Sequence, residues 1–235
     1  MILIHSNSHD ASINLAVEEY LFSHRSEEIL FLYVNEPCVV VGRNQDVLSE
    51  VDKYFCAENR IPVYKRISGG GTVYHDKGNL NYCFISDRVQ GESPLNEGFL
   101  KPIVDVLAAL QVEALIGKRK DLWLPGGHKI SGTASHVGKT RILHHGTLLY
   151  NADLDILEKC LAAKSTGIPS RAIASVSSPV KNIRSYLSEN GYYAPVADSF
   201  FELILQHLLS LYGLESVTIL TPEEESVIQP LTCQF

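Results

Sequence analysis

The 235-residue sequence predicts an α+β fold, a central mixed β-sheet with flanking helices, and three observations carry that prediction. Runs rich in β-branched and aromatic residues outnumber the helical stretches, the helices fall between them irregularly rather than in alternation, and no segment repeats. Irregular spacing argues against a doubly wound parallel sheet. With 45% hydrophobic and 20% charged residues, the chain has the composition of an ordinary globular protein, and its length suits one large domain over 1–235.

Each element has its own signal. Ile13, Ala16, Val17, Tyr20 and Leu21 recur at helical spacing behind Asp10 or Ser12 as cap, which predicts a helix over 12–24. The runs ILFLYV at 29–34 and CVVV at 38–41 read as strands parted by the turn residues Asn35, Glu36 and Pro37. Further strands are expected at 62–66, 72–75, 80–86, 112–116, 121–124, 129–136, 141–150 and 216–220. Helices fit 102–110 with Pro102 in the first turn, 153–163 behind Asp153, and 198–212 closing on Gly213. Thr221-Pro222-Glu223-Glu224 combines a cap, a first-turn proline and a capping-box glutamate, and Pro230 ends that helix.

The formal net charge of −7 disfavours nucleic acid as a partner, because displacing phosphate counterions needs an excess of positive charge. That charge is unevenly placed. Segments 60–77 and 117–141 together hold ten Lys and Arg against two Asp, and both contain glycine clusters, SGGGT at 68–72 and PGGHKISGT at 125–133. Glycine lets backbone N–H groups approach an anion closely while Lys and Arg supply opposing charge, so the two segments together suggest an anion cradle. No apolar run approaches the ~20 residues of a membrane helix, and the first residues lack a basic and apolar leader pattern, so no membrane and a cytoplasmic location are expected. Five scattered cysteines form no metal-binding spacing and read as reduced thiols.

The densest chemical segment runs from Lys65 to Asn79, KRISGGGTVYHDKGN. It is neither a Walker loop nor a dinucleotide fingerprint, and its glycines lead into a β-rich run where both of those motifs enter a helix. A strand, glycine turn and strand could equally hold phosphate through backbone N–H groups with Arg66 as a bidentate partner, or be a plain hairpin with surface charge. Two later motifs give context: Lys129-Ile130-Ser131-Gly132-Thr133-Ala134 and His144-His145-Gly146-Thr147-Leu148-Leu149.

With these three motifs in this order, the chain resembles the lipoate-protein ligase family. Weaker echoes run from Asn14-Leu15-Ala16 with Glu18-Glu19, through Pro37 to Gln45, to Ser175-Val176 with Pro179-Val180 and Asn182, so the resemblance covers nearly the whole chain. It implies a fold like the catalytic domain of biotin and lipoate ligases. It also implies that lipoate and ATP, with Mg2+, form lipoyl-adenylate, from which a lysine of a lipoyl carrier domain takes the acyl group. Lys129 would be the catalytic residue, contacting both acyl carbonyl and α-phosphate. Arg66, Gly71, Thr72, Val73 and Tyr74 would contact the nucleotide, and His145, with Ser68, Gly70, His75 and Asn79, would shape the lipoate site. Asp121 is the candidate for the metal. A compact, movable ammonium suits Lys129's role, since attack of a carboxylate on phosphorus brings anions together.

The chain departs from the family pattern at Lys65, where the family has the first of two arginines, and at Gly117-Lys118-Arg119-Lys120-Asp121, where the family commonly reads G-R-N-D and a lysine here stands in place of the asparagine. No C-terminal accessory domain is expected after the Thr221 helix. A separate accessory-domain protein, a truncated sequence, or a member that works without that part each accounts for this. Two other readings stay open: a transferase using preformed adenylate or an octanoylated carrier, for which Cys83 would be the thiol to examine, and a non-catalytic lipoate- or carrier-binding protein.

Overall fold

The computed structural model describes residues 1–89, 97–162 and 174–234. The elements are, in chain order, β1 (Ile2–His5), α1 (Ala11–His24), β2 (Ile29–Val34), β3 (Cys38–Val41), α2 (Val47–Glu50), α3 (Lys53–Glu58), β4 (Val63–Lys65), β5 (Val73–His75), β6 (Asn79–Asp87), α4 (Lys101–Ala109), β7 (Leu115–Ile116), β8 (Leu122–Trp123), β9 (Lys129–Ser131), β10 (Thr133–Val137), β11 (Arg141–Leu149), α5 (Leu154–Cys160), α6 (Ile183–Glu189), α7 (Ala197–Leu211) and α8 (Pro222–Val227). The main sheet has the order β1-β2-β6-β11-β10, with β1 parallel to β2 and the other pairs antiparallel. A second sheet, β4-β3-β5, and a third, β7-β8-β9, stand beside it. The expected mixed sheet with flanking helices is therefore the fold.

All six residues of β2 are buried, which a strand achieves only when both faces of its sheet are covered. Leu30, Leu32 and Val34 pack with Leu80, Tyr82 and Phe84 of β6 against α4 and α7, while Ile29, Phe31 and Tyr33 pack with Cys83 and Ile85 against Val17 and Leu21 of α1. From α7 alone come Phe200, Phe201, Ile204, Leu205, Leu208 and Leu209, each contributing up to about 2 kcal/mol through burial. Asp10 caps α1 by accepting from Ser12 N at 2.8 Å, and Thr221 forms the expected capping box with Glu224.

Several expectations need correction. The strand over 129–136 breaks at Gly132, whose N–H donates to Thr147 Oγ1 (3.1 Å) and whose carbonyl accepts from Thr147 N (3.0 Å); the chain leaves the third sheet and enters the main one at that residue. The strand over 112–116 shrinks to β7 because Val112 N still closes α4 on Leu107 O at 2.9 Å. The run 216–220 is no strand, only a single parallel bridge from Thr218 to Ile4. The helix expected over 153–163 ends at Cys160, and residue 163 lies outside the described residues. Sequence reasoning also missed β1, α2, α3 and α6, each seven residues or shorter and so with little room to display a period. Among the described residues, no helix is long and apolar enough to cross a membrane.

Candidate active site

Where the three sheets meet, the glycine loop after β4, β9 and the middle of β11 enclose a cavity of about 360 Å³. Nine of the residues singled out from sequence line it: Arg66, Gly70, Gly71, Thr72, Val73, His75, Asp121, Lys129 and His145. Tyr74 does not. Alternation along β5 sends its side chain the other way, into the apolar cluster with Val39, Val63, Cys56 and Cys160. Ser68 and Asn79 are fully buried behind the wall.

Lys129 opens β9, which is pinned by Lys129 N donating to Pro179 O (2.8 Å) and Lys181 N to Lys129 O (3.2 Å). Its ammonium lies 3.2 Å from Asp121 Oδ2, with the Arg119 guanidinium 3.6 Å from the same oxygen. Burial works against ionisation of Asp121, but a hydrogen bond from Trp123 together with the Lys129 charge outweighs it and holds the carboxyl below its usual range. At the point of departure from the family pattern, Arg119 faces the cavity, while Lys120 pairs with Glu97. The other departing residue, Lys65, donates to Gln45 O at 3.1 Å.

Arg66 is buried and its fork is engaged by the protein itself. Nε donates to Ser68 Oγ (2.9 Å), Nη1 to Val40 O (2.9 Å), and Nη2 to Gly69 O (2.6 Å) and Gly71 O (2.7 Å). Burial lowers its pKa to about 10, which leaves it protonated at neutral pH. The guanidinium thus acts as a template around which the glycine loop closes. Gly70 takes φ +80°, and a Cβ there would stand 2.9 Å from the Ala134 side chain, so both the backbone conformation and the space call for glycine.

Below the loop, His145 Nδ1 faces Glu18 at 2.9 Å and its Nε2 faces Ser68 Oγ at 2.7 Å. Tyr33 Oη donates to the same Glu18 at 2.9 Å. Cys83 hydrogen-bonds to Glu18 as well, and burial with that nearby charge pushes its thiol well above the ordinary value, the opposite of an activated nucleophile. His75 Nδ1 lies 3.0 Å from Asn35 Nδ2, whereas its Nε2 is buried without a partner among the described residues. Sequence reasoning gave no role to Glu18, Asn35, Gln45 or Ser175. Gln45 Oε1 accepts from Gly42 N and Thr72 Oγ1, and Ser175 Oγ accepts from Gln45 Nε2 and Thr72 N, so these two lock the loop from outside. Their only signal was position in the weaker echoes.

Burial holds His75 and His144 neutral, with pKa values of about 3 and about 4. In the unfolded chain both protonate near pH 6.5, so their contribution to stability is full above that pH and is lost as pH falls toward the folded values. Between pH 7.5 and 5 the loss is expected to reach about 2 kcal/mol per histidine, read as a lower urea midpoint. A His144→Gln variant should show a shallower decline; an unchanged midpoint in the parent would refute the linkage.

Residues 10–208 match the family model described as the lipoyl protein ligase A/B catalytic domain. Lipoate-protein ligase LplJ of Bacillus subtilis is 37% identical over 220 residues, covering 92% of this chain and 65% of the relative. Lipoate–protein ligase 1 of Staphylococcus aureus is 42% identical over 187 residues, covering 78% and 56%. The human mitochondrial lipoyl amidotransferase LIPT1 is also 42% identical over 187 residues, covering 77% and 49%. The chain thus spans about half to two-thirds of these relatives. A crystal structure of lipoate-protein ligase A bound with ATP superposes with a TM-score of 0.75 at 24% identity, over 96% of this chain and 90% of that one. The ligase in an archaeal lipoylation system of Thermoplasma acidophilum, described as bi-partite and studied with its E2 lipoyl domain, gives the same score and identity, over 96% and 88%.

Proposed function

The chain belongs to the lipoyl protein ligase A/B catalytic domain family, and on that premise we propose that it activates lipoate with ATP and passes the lipoyl group to a lysine of a carrier domain. The observation that carries the reading is the Lys129–Asp121 pair at 3.2 Å in the wall of a cavity rimmed by the glycine loop. A cation already held beside the cavity can move to the substrate carboxylate, follow its charge onto the phosphoryl oxygens as pyrophosphate leaves, and polarise the acyl carbonyl when the carrier amine attacks and AMP departs.

The remaining roles rest on placement. Gly71, Thr72 and Val73 present loop backbone to the nucleotide, with Arg66 shaping that loop and Tyr74 anchoring it in the apolar cluster behind. A phosphate reaching Thr72 N would take the place of Ser175 Oγ, now 3.0 Å from it. Gly70, His75 and His145 line the acyl part, with Ser68 and Asn79 supporting it from the buried side. Asp121 Oδ2 is buried and, among the described residues, has no hydrogen-bond donor beyond the Lys129 and Arg119 cations, so once Lys129 turns to the substrate it suits a Mg2+ that takes its other ligands from phosphate and water. Such an ion would offset phosphate charge.

Intact-mass analysis of a carrier domain tests the reading, with three donors in parallel: lipoate plus ATP, preformed lipoyl-adenylate, and an octanoylated carrier. The ligase reading expects a lipoylated carrier from the first. Modification from the adenylate alone would instead support a transferase, the activity named for the human relative. Transfer only from the acylated carrier would call for a thiol, against which stands the buried, high-pKa Cys83.

A further inference from the structure

Two arginines line the cavity, and their forks are in opposite states. All three nitrogens of Arg66 already donate within the protein, to Ser68, Val40, Gly69 and Gly71. Arg119 has its side chain 47% exposed, and among the described residues only its Nη2 has a hydrogen-bond partner, Ser178 Oγ at 3.1 Å. The Asp121 carboxylate, 3.6 Å from that nitrogen, is close enough for an ion pair but not for a hydrogen bond. Most of this guanidinium's donors therefore remain for something that enters the cavity.

The turn that carries Arg119 is tightly closed. Gly117 N donates to Asp121 O (2.7 Å) and Lys120 N to Gly117 O (2.9 Å), joining β7 to β8. A Cβ on Gly117 would stand 2.3 Å from Asp121 Oδ1, and Lys120 takes φ +60°, so the backbone wraps closely around the Asp121 carboxylate. The three consecutive cations of this turn then go to different places. Lys118 is exposed, Lys120 pairs with Glu97, and Arg119 faces the cavity beside Asp121.

The neighbouring lysine indicates what Arg119 meets. Lys129 Nζ and Arg119 Nη2 both lie within 3.6 Å of Asp121 Oδ2, so an anion drawn to the ammonium has the guanidinium beside it. In adenylation a carboxylate oxygen attacks the α-phosphorus, the bond from that phosphorus to the bridging oxygen breaks, and its electron pair leaves on pyrophosphate. Negative charge grows on the β-phosphate while Lys129 is engaged with the carboxylate and the α-phosphate. A second cation is required there, and a planar fork matches two phosphate oxygens at once. Arg66 has no donor to spare for it. Arg119 is also more exposed than Lys129, 47% against 19%, which suits a group that departs to solvent.

We propose that Arg119 binds the β- and γ-phosphates of the nucleotide and neutralises the pyrophosphate as it leaves. The inference rests on the ATP-dependent reading above and adds to it a residue that serves activation but not transfer.

The test separates the two half-reactions, because lipoyl-adenylate retains the α-phosphate and lacks the other two. Arg119→Ala should lower lipoate-dependent pyrophosphate exchange about thirtyfold, with a higher KM for pyrophosphate, as expected for the loss of hydrogen bonds to a charged group. Transfer from preformed lipoyl-adenylate to a carrier domain, read by intact mass, should be largely spared in the same variant. Arg119→Lys keeps a positive charge beside Asp121 and should show the same selective pattern at lesser depth; if the alanine variant fails to fold, the lysine variant decides. Unchanged exchange would overturn the proposal. Equal loss in both half-reactions, with the circular dichroism spectrum unchanged, would overturn it too, since it would place Arg119 at the α-phosphate or behind Lys129, which acts in both. A parent protein that accepts preformed adenylate but shows no lipoate-dependent exchange would overturn the ATP-dependent reading and this inference with it.

Discussion

Lys129→Ala is expected to lower lipoate-dependent pyrophosphate exchange by roughly a thousandfold or more while the protein stays folded. The magnitude is that of removing a preorganised charge from the place where transition-state charge develops. Retention of the fold is expected from the position: the side chain is 19% exposed, and its loss leaves Asp121 with the Trp123 hydrogen bond and the Arg119 guanidinium at 3.6 Å. Lys129→Arg should rescue little, since a planar fork cannot move along the reacting carboxylate as a compact ammonium does. Exchange near the parent rate in the alanine variant, with an unchanged circular dichroism spectrum, would remove Lys129 from the catalytic role.

Arg66→Met should produce the largest loss of stability, about 3–5 kcal/mol as a fall in unfolding free energy from urea titration. The methionine fills most of the space but leaves Val40 O, Gly69 O and Gly71 O without the donors that now reach them, and removes the cation that faces the buried Glu18 charge. Arg66→Lys discriminates between two roles. If the residue served mainly as a phosphate contact, lysine would preserve stability and weaken nucleotide binding only modestly. As the template of the loop, its four acceptors require a guanidinium, so lysine should be nearly as unstable as methionine. A urea midpoint unchanged in either variant would refute the template role.

Much of the site was legible in the sequence because its residues lie in short, contiguous motifs. The SGGG turn, Lys129 with its Ile-Ser-Gly flank and His145 are each set by their immediate neighbours, and nine of the residues singled out do line one cavity. Helix ends were legible for the same reason: Asp10, Asp153 and Thr221 act on backbone groups two or three residues away. The hydrogen-bond partners of Arg66 were not legible. An arginine beside glycines suggests an anion, and only the folded chain reveals that its fork is already filled by backbone carbonyls, one of them 26 residues away.

Local chemistry, then, was written along the chain: where the strands and capped helices begin, which loop bends on glycine, which lysine stands in a glycine-rich basic segment. Tertiary structure alone decided which polar groups complete one another. Glu18 reaches His145 across 127 residues, Gln45 reaches Ser175 across 130, and Asn14, Asn35 and His75 form one relay from α1, the turn after β2, and β5. No periodicity or spacing encodes such pairs. A buried hydrogen bond is enforced by the cost of leaving its atoms unpaired, and that cost exists only once packing has excluded water from both partners.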